Sequence, residues 1–144
     1  MAAIRSRDTK PELLVRKFLH ARGWRFRTCD RRFTGRPDIV VPRARTLIEI
    51  RGCFWHRHGW EWDGRKLVWT AFCPQATTPE TNRAFWNAKF RANVRRDERH
   101  EALWREEGWG VVVLWTCGLE GKRRDKTLEW LDARLRRFAA KAGN

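Results

Sequence analysis

Stretches of helical period alternate along the chain with short apolar runs of strand period. Met1 to Asp8 is a polar arm carrying Arg5 and Arg7. Thr9-Lys10-Pro11-Glu12 has the form of a capping box, with Thr9 as the cap, Pro11 in the first turn and Glu12 reaching back. Leu13, Leu14 and Leu19 continue that helix and Gly23 ends it. Trp24 to Thr28 reads as a short strand, and Asp30 to Gly35 as a polar loop leading into Arg36-Pro37. Asp38 to Val41 and Thr46 to Ile50 read as the strands of a hairpin around the turn Pro42 to Arg45, with Asp38 at its mouth.

From Gly52 to Thr81 no period holds, and an irregular stretch of that length needs another source of order, such as a metal or a ligand. Asn82 is placed to cap a long helix running to about Glu107, with Phe85, Trp86, Ala88, Phe90, Val94 and Leu103 as its apolar positions, and Gly108 stops it. The run VVVLW within Gly110 to Trp115 is continuous, as in a strand buried on both faces. Leu128, Leu131, Leu135 and Phe138 line one side of a closing helix from Asp125 to Ala140. This order predicts an α/β fold with a mixed central sheet flanked by helices, in a single domain spanning 1–144.

Charge narrows the partner. Thirty-two Lys and Arg against 17 Asp and Glu give a net charge of +15, a field that favours a polyanion, nucleic acid first and an anionic membrane surface second. No apolar run reaches the roughly 18 residues of a membrane span. The first ten residues lack the apolar core of a signal peptide, so a cytoplasmic protein is expected, with its four cysteines as metal ligands or plain thiols. Ten tryptophans and eight phenylalanines exceed what a core of this size needs, leaving some for a binding surface.

Three groups of residues carry candidate chemistry. A hairpin brings Asp38, Glu49 and Arg51 to one side, and two carboxylates with a cation suit Mg²⁺-assisted phosphodiester hydrolysis. The same spacing fits a cross-strand ion pair on a solvent face; the +15 charge tips the choice towards the metal site. Cys53, His58, Cys73 and Cys117 can furnish a tetrahedral zinc shell, with Cys29 and His56 as possible substitutes. Their spacing matches no compact finger, and buried thiols with an exposed histidine are the competing reading. Phe54, Trp55 and Trp86, among Arg51, Arg57, Arg83, Lys89, Arg91, Arg95 and Arg96, suit aromatic wedging into DNA with phosphate contacts around it. For any single tryptophan, core packing is the alternative.

The segments TGRPDIVVPRARTLIEIRGCFWHRHG and FWNAKFRANVRRDERHEALWREEGWGVVVLWTC closely resemble the very-short-patch repair (Vsr) endonucleases, and IRSRDTKPELLVRKFLHARGWRFR fits the same pattern. The resemblance covers about residues 3 to 120 through GRPD, GCFWH, FW-x-x-K and N-V-x-R-D. It implies a restriction-endonuclease-like fold with a structural zinc loop and a Mg²⁺-dependent enzyme that nicks DNA 5′ of the T in a T:G mismatch. By the same resemblance Asp38 binds Mg²⁺, His56 and Asp97 form a catalytic pair, and Glu12 reaches the metal through water. Cys53, His58, Cys73 and Cys117 take the zinc positions; Phe54, Trp55 and Trp86 take those of the intercalating aromatics.

Where familiar members of that family carry F-T-H, this chain has Glu49-Ile50-Arg51. Ile50 can still offer its carbonyl to the metal. Arg51 can offset charge but cannot exchange a proton near neutral pH. Glu49 restores a PD-(D/E)xK-like pattern as a direct metal ligand, with Arg in place of Lys. The insert GWEWDGRKLVWTAFCPQA lengthens the loop between His58 and Cys73 and bears on target recognition. Double-stranded DNA is the implied partner, mismatch-repair proteins are candidate recruiters, and a monomer in the bacterial nucleoid is expected. A Vsr-like restriction or defence nuclease and a non-catalytic DNA-binding module are the alternatives.

Overall fold

The computed structural model describes residues 8–143, so Arg5 and Arg7 of the polar arm lie outside the described residues. Helix α1 (Lys10–Ala21) leads into β1 (Arg27–Thr28), β2 (Ile39–Val41) and β3 (Thr46–Arg51), with a 3-10 turn at Pro42–Ala44. A small hairpin, β4 (Trp60–Trp62) and β5 (Leu67–Trp69), precedes the long helix α2 (Arg83–Glu106). Strand β6 (Gly110–Trp115) and helix α3 (Arg124–Ala142) close the chain. The main sheet has the order β1-β2-β3-β6; its first two pairings are antiparallel and β3 runs parallel to β6. The architecture is the mixed α/β sheet between helices that the pattern predicted.

Strand period two explains the two apolar layers. Ile39, Val41, Ile48, Val112 and Leu114 pack against Val15 and Leu19 of α1 and Leu128, Leu131 and Leu135 of α3. Val40 and Leu47 point the other way, onto Trp104 of α2, with Val111 and Trp109 beside them. Both faces are covered, which is why VVVLW is uninterrupted.

Several local expectations change. Thr9 sits at the α1 cap but makes no side-chain capping bond; the Glu12 carboxylate instead accepts from the Asp8 amide at 2.7 Å. Asn82 precedes α2 in a left-handed conformation and likewise makes no capping bond. The first strand shrinks to Arg27–Thr28 because Trp24 turns into the core, where its indole N–H donates to Asp132 at 2.8 Å. The stretch expected to be irregular contains β4 and β5, which pair Trp60 with Trp69 and Trp62 with Leu67. On α2, Phe85 and Ala88 are exposed, while Asn93, Asp97 and Trp104 are buried. That helix presents polar groups inward, towards the end of β3.

Candidate active site

The β2–β3 register, with Ile39 opposite Ile48, places Asp38 across from Glu49 where the strands emerge. Asp38 Oδ2 accepts from the Ile50 amide at 2.7 Å, fixing the carboxylate on the strand end. Glu12 is buried on α1, and its carboxylate also meets Arg16, at 3.4 Å. Burial pushes the Asp38 carboxyl up to about 6, with the Glu12 charge adding to the shift and the Ile50 amide opposing it. Burial pushes Glu49 up to about 8, helped by Asp38 and Asp97 and opposed by Arg51. Carboxylates raised chiefly by burial, with Asp38 adding to the rise at Glu49, offer hard oxygen donors that fit a divalent cation such as Mg²⁺.

Arg51 does not form the cross-strand ion pair on a solvent face. It is buried, donates to Glu101 at 2.6 Å and lies 3.9 Å from Asp97, both on α2. Helix spacing aligns Asn93, Asp97 and Glu101 four residues apart on the face turned to the site. Asp97 Oδ2 accepts from His56 Nδ1 at 2.6 Å, which fixes the tautomer and leaves Nε2 as the free acceptor. Asn93 Nδ2 donates to the Trp55 carbonyl at 3.0 Å and so holds the loop carrying His56. Asn93 and Glu101 escaped the sequence reading. The signal for them is their i−4 and i+4 spacing from Asp97.

Glycines set the approach to the site at two points. Gly35 has φ +81°, and a Cβ there would meet His100 Nδ1 at 2.5 Å. Gly59 has φ +88°, and a Cβ there would meet the Ala71 carbonyl oxygen at 2.1 Å. The first shapes the turn before Asp38; the second lets the root of the hairpin close.

Cys53, His58, Cys73 and Cys117 converge, with their ligand atoms all within 4.8 Å of one another. His58 Nδ1 lies 3.7 Å from Cys53 Sγ and 3.4 Å from Cys117 Sγ. Metal–sulfur bonds of about 2.3 Å and a metal–nitrogen bond of about 2.0 Å give tetrahedral edges of roughly 3.5–3.8 Å, which these separations match. Burial and the adjoining Cys53 and Cys73 thiols push Cys117 up to about 12, as expected of a thiol cluster that ionises only against a cation. Cys29 and His56 are not members of the set, and His56 is held by Asp97. The set can hold a metal ion that ties β3, the hairpin segment and the end of β6 together.

Phe54, Trp55 and Trp86 form one aromatic cluster, with ring centroids 5.1–5.8 Å apart. All three are partly exposed; Phe90 stacks beneath Trp86 and is buried. Phe85, expected only as an apolar position of the long helix, adjoins Trp86, is 60% exposed and extends the cluster. Arg83, Lys89, Arg91, Arg95 and Arg96 are exposed on the same helix. Arg57 is not an exposed phosphate contact beside these residues. It is buried, donating to the Thr77 carbonyl and the Thr78 hydroxyl, with its guanidinium 4.0 Å from the Phe90 ring centre.

A strand end bearing paired carboxylates, beside a His–Asp pair and an aromatic cluster within a basic surface, defines a site of nuclease type. Comparison with known proteins gives the particular family. The family profile described as DNA mismatch endonuclease Vsr matches residues 1–62. Over 143 residues the chain is 36% identical to DNA mismatch endonuclease Vsr of Escherichia coli strain K12, covering 99% of this chain and 83% of that protein. It is 39% identical over 136 residues to the type II nicking enzyme V.XorIIP of Xanthomonas oryzae pv. oryzae, with 94% and 86% covered. It is also 38% identical over 122 residues to the type II nicking enzyme V.NmeAIP of Neisseria meningitidis, with 85% and 78% covered. The chain belongs to the Vsr family of DNA endonucleases.

Proposed function

We propose that this chain is a Mg²⁺-dependent nicking endonuclease that cuts double-stranded DNA 5′ of the T in a T:G mismatch. The observation that carries the reading is the meeting of Asp38 and Glu49 with the His56–Asp97 pair. Asp38, Glu49 and the Ile50 carbonyl would hold the divalent cation, which supplies stabilisation of the charge that builds on the phosphate. His56 Nε2 takes the proton of the attacking water as its oxygen bonds to phosphorus and the P–O ester bond breaks. Asp97 stabilises the resulting imidazolium, and Glu12 keeps a buried negative charge near Asp38. Arg51 works as a positioning residue through Asp97 and Glu101 and lowers Glu49, rather than by touching phosphate.

Phe54, Trp55 and Trp86 form the wedge that unstacks the base pair. Cys53, His58, Cys73 and Cys117 hold a structural Zn²⁺. A pure binding module has no use for buried acids beside phosphate, where they repel it. The test is cleavage of a mismatched duplex with and without Mg²⁺, together with an Asp38→Ala variant. Binding retained with cleavage lost supports the reading; metal-independent cutting overturns it. One observation favours a second target: the β4–β5 hairpin stands beside the wedge, so a Vsr-like restriction or defence nuclease reading matched DNA is the alternative.

A further inference from the structure

The β4–β5 hairpin is built to present cations. Asp63 Oδ1 accepts from the Arg65 and Lys66 amides at 2.8 and 2.9 Å, and the Asp63 amide donates to the Lys66 carbonyl at 3.1 Å. The acid at the tip is thus spent on the backbone of the turn. Arg65 and Lys66 are exposed, and among the described residues neither forms an ion pair. The base of the hairpin is rigid. The Gly59 carbonyl accepts from the Thr70 amide and hydroxyl at 2.7 and 2.9 Å, and Arg57 lies under Trp60 at 5.3 Å.

Between the hairpin and α2 lies a cavity of about 310 Å³. Arg65 and Lys66 line it on one side and Asn87 and Arg91, one helical turn apart, on the other. Its floor includes Phe90 and the buried Arg57, whose Nε has no hydrogen-bond partner. Among the described residues no carboxylate lines it. Phe90 also stacks under Trp86 at 5.7 Å, so the cavity adjoins the aromatic cluster directly.

We propose that Arg65, Lys66, Asn87 and Arg91 form a phosphate clamp that grips the DNA backbone on the flank of the aromatic wedge. The occupant is a backbone phosphodiester, because three cations and an amide donor converge without an acid beside a surface read as DNA-binding. The inference rests on the proposed action on DNA. The clamp supplies affinity and register, not base choice, so it acts alike on matched and mismatched duplexes.

The test compares Arg65→Ala/Lys66→Ala with Arg137→Ala/Lys141→Ala, which removes the same charge from exposed positions on α3. Both are checked for an unchanged thermal melt. Duplex affinity is measured against salt, and single-turnover cleavage at saturating DNA. The hairpin variant is expected to lose about tenfold in affinity on every duplex and to reduce the salt slope by about 1.8, for two phosphate contacts. The α3 variant keeps the wild-type slope, and saturated cleavage stays within about twofold. Neutral methylphosphonates scanned along both strands should weaken wild type at one or two positions that no longer matter to the hairpin variant. Equal losses in the two variants, or no methylphosphonate position that distinguishes them, overturns the clamp. Wild-type binding that is lost in the hairpin variant, with no cleavage by either protein, supports the clamp and sinks the nuclease reading.

Discussion

Replacing Asp38 with Asn removes a charge while keeping the shape of the side chain and an oxygen to accept from the Ile50 amide, now 2.7 Å from Oδ2. Burial and the Glu12 charge hold the folded carboxyl at about 6, against 3.8 unperturbed. The folded state therefore binds the proton more tightly than the unfolded chain, and this group lowers stability as pH rises from about 4 through about 6. The two-unit difference amounts to about 3 kcal/mol at pH 8 and about 1 kcal/mol at pH 4.5. Asp38→Asn should thus abolish cleavage yet stabilise the protein at pH 8 by on the order of 2–3 kcal/mol, with little gain at pH 4.5. Urea unfolding in buffer without magnesium, at both pH values, reads this directly. A variant less stable than wild type at pH 8, or an equal gain at both pH values, refutes the reasoning that burying the charged Asp38 carboxylate costs the fold stability.

Magnesium should raise the melting temperature more at pH 8 than at pH 5.5, because binding needs Asp38 and Glu49 ionised and these sit at about 6 and about 8. A shift independent of pH counts against a site built on these two acids. Cys117→Ser, or a strong chelator, should lower the melting temperature by several degrees and open the 59–81 segment to trypsin at Arg65 and Lys66, since Cys73 ties that segment to the cluster. Unchanged melting and cleavage pattern would rule out a structural metal. Trp86→Ala should reduce the preference for T:G over matched DNA more than general affinity; a uniform loss contradicts the wedge. Asn93→Ala should slow single-turnover cleavage about tenfold or more through the loop it holds at Trp55, with DNA affinity little changed.

The fold was legible where patterning was strong. The run at Gly110 to Trp115 and the stripe of Leu128, Leu131 and Leu135 follow directly from which faces are covered. The hairpin Trp60–Trp69 was hidden because its strands are three residues each and carry polar and aromatic residues without clean alternation. Asp38 and Glu49 could be paired from strand spacing alone. The inward polar stripe of α2 could not, since Asn93, Asp97 and Glu101 look like a solvated face until β3 ends against them. The burial of Arg57 was equally invisible, because its partners Thr77 and Thr78 lie across the insert. Glu12 shows the opposite case: one residue fits both a capping box and a buried site, and only the geometry at the Asp8 amide separates them.

The central claim is tested most directly by strand-resolved cleavage of end-labelled duplexes that differ only in a T:G, T:A or C:G pair, in the presence of Mg²⁺. One nick, 5′ of the mismatched T and absent from the matched duplexes, is the expected result. Cutting of matched DNA, or of both strands, would contradict mismatch repair and assign the enzyme to restriction or defence.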